Sequence, residues 1–354
     1  MIRTTGLFSA TVLALAVAGA GGANAESYNF RMASGHASHT GYVVMMSKEF
    51  APRFQKKLEV LGHKATFNEA YGGSLVKVAE TLEGVQDKIV DLGGYCFCFE
   101  PSNLFLNSYP LWMPFDMQTA DGGTKLARAV YNEVPELSSV FGQYKQKLLA
   151  LFGFDNYGLY TTFDWNSFAD IKGRKIGGAG PNLPWIGIAG AIPVGTTLPD
   201  VYQSLKTSVY DGMILFPSVG VPNKLYEAAK YYTIVGFGSK AFHGLTVNED
   251  VFSKLPAPVQ KAMVEAAQET EAVMGPWVDI EEKKNLDIMK ANGATIKTIS
   301  PEAQKAWAQA LADWPNEKAK EADAKGLPGT KAVRLALDHA EKLGHKWPVR
   351  YVIK

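Results

Sequence analysis

Cysteine is nearly missing from this 354-residue chain: only Cys96 and Cys98 are present, beside six histidines. With so few soft ligands, a zinc site has nothing to complete it. An extended i, i+2 pair puts both sulfurs on one face but generally too far apart for good disulfide geometry. Tyr95-Cys96-Phe97-Cys98-Phe99 therefore reads as carrying two buried small apolar groups, with a strained bridge or a metal role as the alternative. An excess of either charge is also missing. The formal net charge is +1, and without Arg3 the basic and acidic residues balance at 35 each. Nucleic acid and anionic membrane surfaces both need a basic footprint, so neither is the expected partner.

Enzyme signatures are lacking too. The chain has no G-x-S-x-G elbow, no G-x-x-x-x-G-K-[ST] phosphate loop and no H-E-x-x-H. Gly177-Gly178-Ala179-Gly180 has only part of a dinucleotide fingerprint, at the wrong spacing. No catalytic residue, metal or cofactor is assigned. Beyond residue 25 there is no run of about eighteen apolar residues, so no membrane span is expected there.

What is present begins with an export signal. Arg3 precedes an apolar run from Leu7 to Ala18, and Ala23-Asn24-Ala25 gives an A-x-A cleavage pattern before Glu26. The run is short for a membrane anchor, so residues 1–25 read as a signal peptide and the working protein as a periplasmic one.

Strand and helix patterns then alternate. Tyr28 to Ala33 reads as a strand, Tyr42 to Leu61 as a helix, Ala65 to Glu69 as a strand, Leu75 to Gln86 as a helix and Ile89 to Phe99 as a third strand. That order is the signature of an α/β lobe with a mainly parallel sheet. A second such lobe begins near residue 150, with strands over 149–154, 158–163, 174–177 and 208–216 and a helix over 199–207. Pro256 to Asn292 reads as one helix of about 50 Å, long enough to brace both lobes and kinked at Gly275-Pro276. Two further helices, over 301–325 and 331–342, follow.

In open α/β sheets ligands bind beyond the carboxyl ends of the strands. His36 follows the first strand, Phe97 and Phe99 end the third, and Asn156 and Tyr157 fall between two strands of the second lobe. Trp112, Trp185 and Phe216 add aromatic surface at loop tips, which suits a cleft although each is individually a normal core residue.

The ordered motifs resemble the extracytoplasmic solute-binding proteins of TRAP (tripartite ATP-independent periplasmic) transporters, the DctP family. They are Gly72-Gly73-Ser74-Leu75, Glu80 to Gln86, Val90 to Gly93, Pro110 to Phe115, Phe168 to Ile176, Gly190 to Val194, Val201 to Leu205, Asp211-Gly212 and Tyr226 to Tyr232. The resemblance implies a two-lobed periplasmic binding protein fold with mixed sheets, hinge strands and a long helix spanning both lobes. Lobe I would hold residues 26–148 with 236–272 returning to it. Lobe II would hold 149–235, with the end of the long helix and the C-terminal helices, 273–354, packing on it. It also implies a monomer that captures a small organic solute by lobe closure and delivers it to TRAP-type membrane permease subunits.

Two departures bear on the ligand. Carboxylate-binding members of the family usually carry Arg after Lys175-Ile176, where this chain has Gly177. The polar and acidic residues that usually follow Asp211-Gly212 are replaced by Met213 to Ser218. A wider, more apolar pocket lined by Gly177, Phe216 and Ser218 is expected. Its ligand would be an organic acid or an aromatic or apolar compound rather than a C4-dicarboxylate, any carboxylate being held by His36, Lys175 or backbone N–H groups; a cation in an aromatic cage is the variant reading. A ligand-sensing periplasmic domain and a secreted hydrolase on the same scaffold are the alternatives in function.

Overall fold

Strand β1 (Ser27–Ala33) pairs in parallel with β2 (Lys64–Ala70), from Ser27 opposite Lys64 to Ala33 opposite Ala70. Parallel neighbours need a crossover, supplied by the helical residues 41–60. Tyr42, Phe50, Phe54 and Leu58 on this crossover are fully buried. Each such side chain contributes roughly 1.5–3 kcal/mol by leaving water. A widened turn at Met46–Phe50 precedes Pro52, which has no N–H to give to a regular α ladder. The computed structural model describes Met1 and residues 25–354, so the apolar run of the expected signal peptide lies outside the described residues.

The first sheet has the order β2-β1-β3-β10-β4, where β3 is Leu92–Cys96, β4 is Gln146–Gly153 and β10 is Ala241–Asn248. Strand β10 runs antiparallel to both its neighbours. The second sheet has the order β11-β9-β5-β8-β6-β7. Its strands are β5 (Gly158–Thr161), β6 (Lys175–Gly178), β7 (Ile192–Gly195), β8 (Gly212–Leu215), β9 (Tyr231–Ile234) and β11 (Thr295–Thr298). Both sheets are mixed, one per lobe.

The chain crosses between the sheets along residues 154–157 and again along 235–240. These segments lie side by side: Tyr157 N–H donates to Gly238 O (3.2 Å), Phe237 N–H to Tyr157 O (3.3 Å) and Phe154 N–H to Lys240 O (3.0 Å). Because β4 belongs to the first sheet, the passage into the second lobe falls several residues beyond the expected boundary at 148/149.

Two sequence-derived elements are shorter than expected. The helix expected from Leu75 spans only Thr81–Gln86. Val76 is buried with Ala33, Val85 and Val90 at the end of β1, and this packing holds the preceding residues in turns. The third strand stops at Cys96, and Phe97–Phe99 forms a single 3₁₀ turn.

The long helix, Ala257–Ala291, continues through Pro276. It packs on the helices Ala51–Val60 and Ala120–Glu133 and on β4 in the first lobe, and on residues 217–219 and β11 in the second. A Cβ at Gly275 would stand 2.5 Å from Asp121 Cα, so glycine permits the close helix crossing there. One turn on, Asp279 accepts N–H bonds from Ala120 (2.6 Å) and Asp121 (3.3 Å), satisfying donors at the start of Ala120–Glu133.

The C-terminal helices do not all pack on lobe II. Trp307, on Pro301–Ala310, donates to Trp185 O there (2.7 Å). Trp314–Ala324 and Gly329–Lys342 instead cover residues 106–112 and the helix Ala120–Glu133 of lobe I, where Tyr351 Oη also donates to Pro114 O (2.5 Å). The apolar stripe of Gly329–Lys342, Ala332, Val333, Ala336, Leu337 and Ala340, is buried there.

Candidate functional site

The two sheets present their strand ends to one another beside the crossing segments. From lobe I come His36 after β1, Cys96, Cys98 and Phe99 at the end of β3, and Phe242 and His243 at the start of β10. From lobe II come Ala179, Thr196 and Leu198 beyond β6 and β7, and Met213, Leu215 and Phe216 along β8. Phe154 and Tyr157 of the first crossing segment complete the wall. The cavity volume is about 40 Å³, several times the roughly 10–15 Å³ that a single water requires.

The lobes meet on aromatic faces. Phe154 and Phe216 stack with ring centroids 4.4 Å apart, and Tyr157 meets Phe216 edge-on at 5.1 Å. His243 lies 4.5 Å from Phe154 and 4.7 Å from Phe242.

No charged side chain lines this cavity among the described residues. Its two histidines are buried, and burial pushes His36 down to about 4 and His243 well below the usual imidazole range, the nearby His36 adding to the latter effect. Both imidazoles are therefore neutral near pH 7. His36 Nδ1 lies 2.8 Å from Tyr42 Oη, which is 2.6 Å from Ser34 Oγ. Thr40 Oγ1 and His243 Nδ1 are buried with no hydrogen-bond partner among the described residues. Such orphaned groups are costly unless a guest satisfies them. The arrangement offers neutral hydrogen-bonding groups on an apolar wall.

Four of the residues singled out from the sequence, His36, Phe99, Tyr157 and Phe216, line this cavity. Trp112 lines a neighbouring compartment that shares Cys98 with it. The other five lie elsewhere. Phe97 is fully buried in lobe I against Tyr95 and Phe141. Asn156 braces the hinge, its Nδ2 donating to Gln118 Oε1 (2.6 Å) and its Oδ1 accepting from Gly238 N–H (3.0 Å). Trp185 ties the lobes through Nε1–H to Leu111 O (3.0 Å). Ser218 donates both N–H and O–H to Asp155 at 2.7 Å.

Gly177 stands behind the cavity wall, and the space is not widened there. A Cβ at Gly177 would meet Met213 Sδ at 2.8 Å, Thr196 Cγ2 at 3.2 Å and Tyr210 Cζ at 3.2 Å. Larger neighbours thus fill the volume an arginine would have needed, and the pocket is narrow rather than wide. Lys175 is exposed at the opposite end of β6 and does not line the cavity.

The cysteines correct another expectation. Cys96 and Cys98 form a disulfide with Cα atoms 5.2 Å apart. The extended geometry that argued against bridging ends at Cys96, because Phe97–Phe99 turns as a 3₁₀ helix and brings the side chains together. Sequence reasoning also missed His243 and Thr40. His243 does carry a signal: it is a lone histidine in the otherwise apolar segment Ala241 to Leu245.

Two α/β lobes, joined by paired crossing segments with a small cavity between their strand ends, make the architecture of a two-lobed binding protein. The chain belongs to the bacterial extracellular solute-binding proteins, family 7 (DctP), whose family model matches residues 36–321. By that family it is a solute-binding protein rather than an enzyme. It is 29% identical over 144 residues to the C4-dicarboxylate-binding periplasmic protein DctP of Rhodobacter capsulatus; the match spans 40% of this chain and 43% of that relative, less than half its length. Among solved structures, a marine metagenome TRAP solute-binding protein in complex with pyroglutamate superposes with a TM-score of 0.78 at 20% identity, covering 90% of this chain and 99% of that one. A Bordetella bronchiseptica TRAP solute-binding protein with bound mandelate gives 0.78 at 19%, covering 89% and 99%.

Proposed function

We propose that this chain is the periplasmic solute-binding subunit of a TRAP transporter, and that it captures a monocarboxylic acid with an apolar or aromatic body, rather than a C4-dicarboxylate, for delivery to a membrane permease. The family and the pyroglutamate and mandelate ligands of similar structures support an organic acid. The observation that carries the choice within that class is a cavity walled by aromatic rings and two neutral imidazoles, with no cationic side chain. A second carboxylate there has no countercharge, and an unpaired buried charge costs several kcal/mol. One carboxylate can instead be met by Thr40 Oγ1 and by an imidazole that takes up a proton on binding.

A thermal-shift panel on the protein lacking residues 1–25 tests the reading. Aromatic and branched monocarboxylates should raise Tm in a concentration-dependent way, and succinate, fumarate and malate should not. Preferential stabilisation by the dicarboxylates would overturn it.

A further inference from the structure

The compartment beside the inner cavity is far larger, about 320 Å³. It lies between the same two lobes and shares the Cys98 wall with the inner cavity. Phe105 and Trp112 face it from lobe I, Pro181 and Pro184 from lobe II, and Trp314 and Lys318 from the helix Trp314–Ala324. Phe105 and Trp112 pack with centroids 5.2 Å apart, and Lys318 Nζ lies 4.8 Å from the Phe105 ring. Ser108 also lines the compartment and is only 4% exposed, yet its Oγ has no partner among the described residues.

The two volumes decide how a guest can sit. The inner space accommodates a carboxylate-sized group but no ring. Small-molecule sites that bury most of a ligand measure roughly 300–1,000 Å³, which the outer compartment reaches and the inner one does not. The buried groups without partners among the described residues are Thr40 Oγ1 and His243 Nδ1 at the inner cavity, and Ser108 Oγ and Trp314 Nε1 at the outer compartment. The rest of the outer lining is mostly aromatic and proline surface, with the Phe105 and Trp112 rings tilted by 46°.

Resting on the monocarboxylate reading above, we propose that the outer compartment is a second subsite that takes the apolar tail of the solute, so that the ligand is an elongated acid whose head enters the inner cavity and whose aryl or branched-alkyl end lies between Phe105, Trp112 and Pro184. Ser108 gives that subsite one hydroxyl for a polar substituent on the tail. The cleft then selects by length as well as by charge.

Titration calorimetry with benzoate, phenylacetate, 3-phenylpropanoate and 4-phenylbutanoate tests this. Each added methylene should tighten binding about three- to fourfold if it enters apolar surface, giving about tenfold between phenylacetate and 4-phenylbutanoate. Phe105→Ala, at a half-buried position, should abolish that gain, weakening 4-phenylbutanoate at least tenfold and phenylacetate by less. Pro181→Trp, which obstructs the compartment from the opposite lobe, should do the same and serves as the second variant. Binding of the short acids with no dependence on length, or an unchanged dependence in both variants, overturns the second subsite alone. No binding by any of the four acids overturns the monocarboxylate reading with it.

Discussion

Phe154 and Phe216 stack across the join between the lobes, their ring centroids 4.4 Å apart and their planes inclined by 30°. Phe154 leaves β4 in the first lobe, while Phe216 follows β8 in the second. The pair is therefore a contact between the two lobes at their join. Aromatic pairs of this kind are worth about 0.5–1.5 kcal/mol beyond the area they bury, and only differential affinity for the closed form can shift the open-closed balance. Phe216→Ala should weaken solute binding at least tenfold in titration calorimetry and leave a larger radius of gyration with solute in X-ray scattering. Unchanged affinity would remove this pair from the closing mechanism.

The neutral histidines predict proton uptake. Burial disfavours the imidazolium, pushing His36 down to about 4 and His243 well below the usual imidazole range. A carboxylate placed between them raises both, so binding near pH 6 should draw in a proton and tighten as the pH falls toward the acid's own pKa. Calorimetry in two buffers of different ionisation enthalpy reads this directly; equal apparent enthalpies would exclude it. Without solute the sign for stability is opposite. A depressed histidine contributes stability that is present above about pH 6.5 and lost as the pH falls toward 4, so the free protein should melt lower at pH 5 than His36→Gln relative to their difference at pH 7.

The disulfide closes a very short loop, so its effect should fall on the site rather than the fold. Loop-closure entropy for three residues amounts to about 1.5 kcal/mol, against about 4.7 for a 100-residue loop. Reduction should therefore lower Tm by only a few degrees. Cys96 and Cys98 nevertheless line the cavity, and releasing the Phe97–Phe99 turn frees the Phe99 wall. Solute affinity should drop at least fivefold in reductant and in Cys98→Ser alike. An unaffected Kd would make the bridge purely structural.

The alternating strand and helix patterns of the first lobe were legible because their apolar periodicity directly reports burial, and the long helix because its composition favours helix over an unbroken span. The lobe boundary was harder to read: β4 and β5 have the same strand-like pattern, and only hydrogen-bond pairing with β10 assigns β4 to the first sheet. Local pattern is equally silent on where a surface helix docks, and Trp314–Ala324 and Gly329–Lys342 pack on lobe I rather than on lobe II as the resemblance implies. Strand-end logic pointed to His36, Phe99 and Tyr157, and loop-tip aromatics to Phe216, all of which line the inner cavity. Asn156, from the same strand-end logic, and Ser218, from the departure from the family pattern after Asp211-Gly212, spend their hydrogen bonds on the hinge instead.

At that hinge, Asp155 and Glu282 form an acidic pair that should make the protein less stable in alkali. Asp155 is fully buried, and Ser218 supplies it with two hydrogen bonds but no charge. Burial pushes it up to about 7. Glu282, facing it from the long helix, is pushed up to about 8 by burial first and then by the Asp155 and Asp279 carboxylates. A carboxyl raised in the folded state holds a proton that the unfolded chain has already lost. Its contribution is complete below about pH 4 and falls as the pH rises through 7 and 8. The histidine contribution lies below pH 6.5, so the interval from 6.5 to 9 isolates the carboxyls. Glu282→Gln keeps the size and hydrogen-bonding capacity of the protonated acid and cannot ionise. The excess of its urea midpoint over wild type should grow from pH 6.5 to about pH 8 and level off by pH 9, whereas a difference that stays constant across that interval would mean that Glu282 is not titrating there.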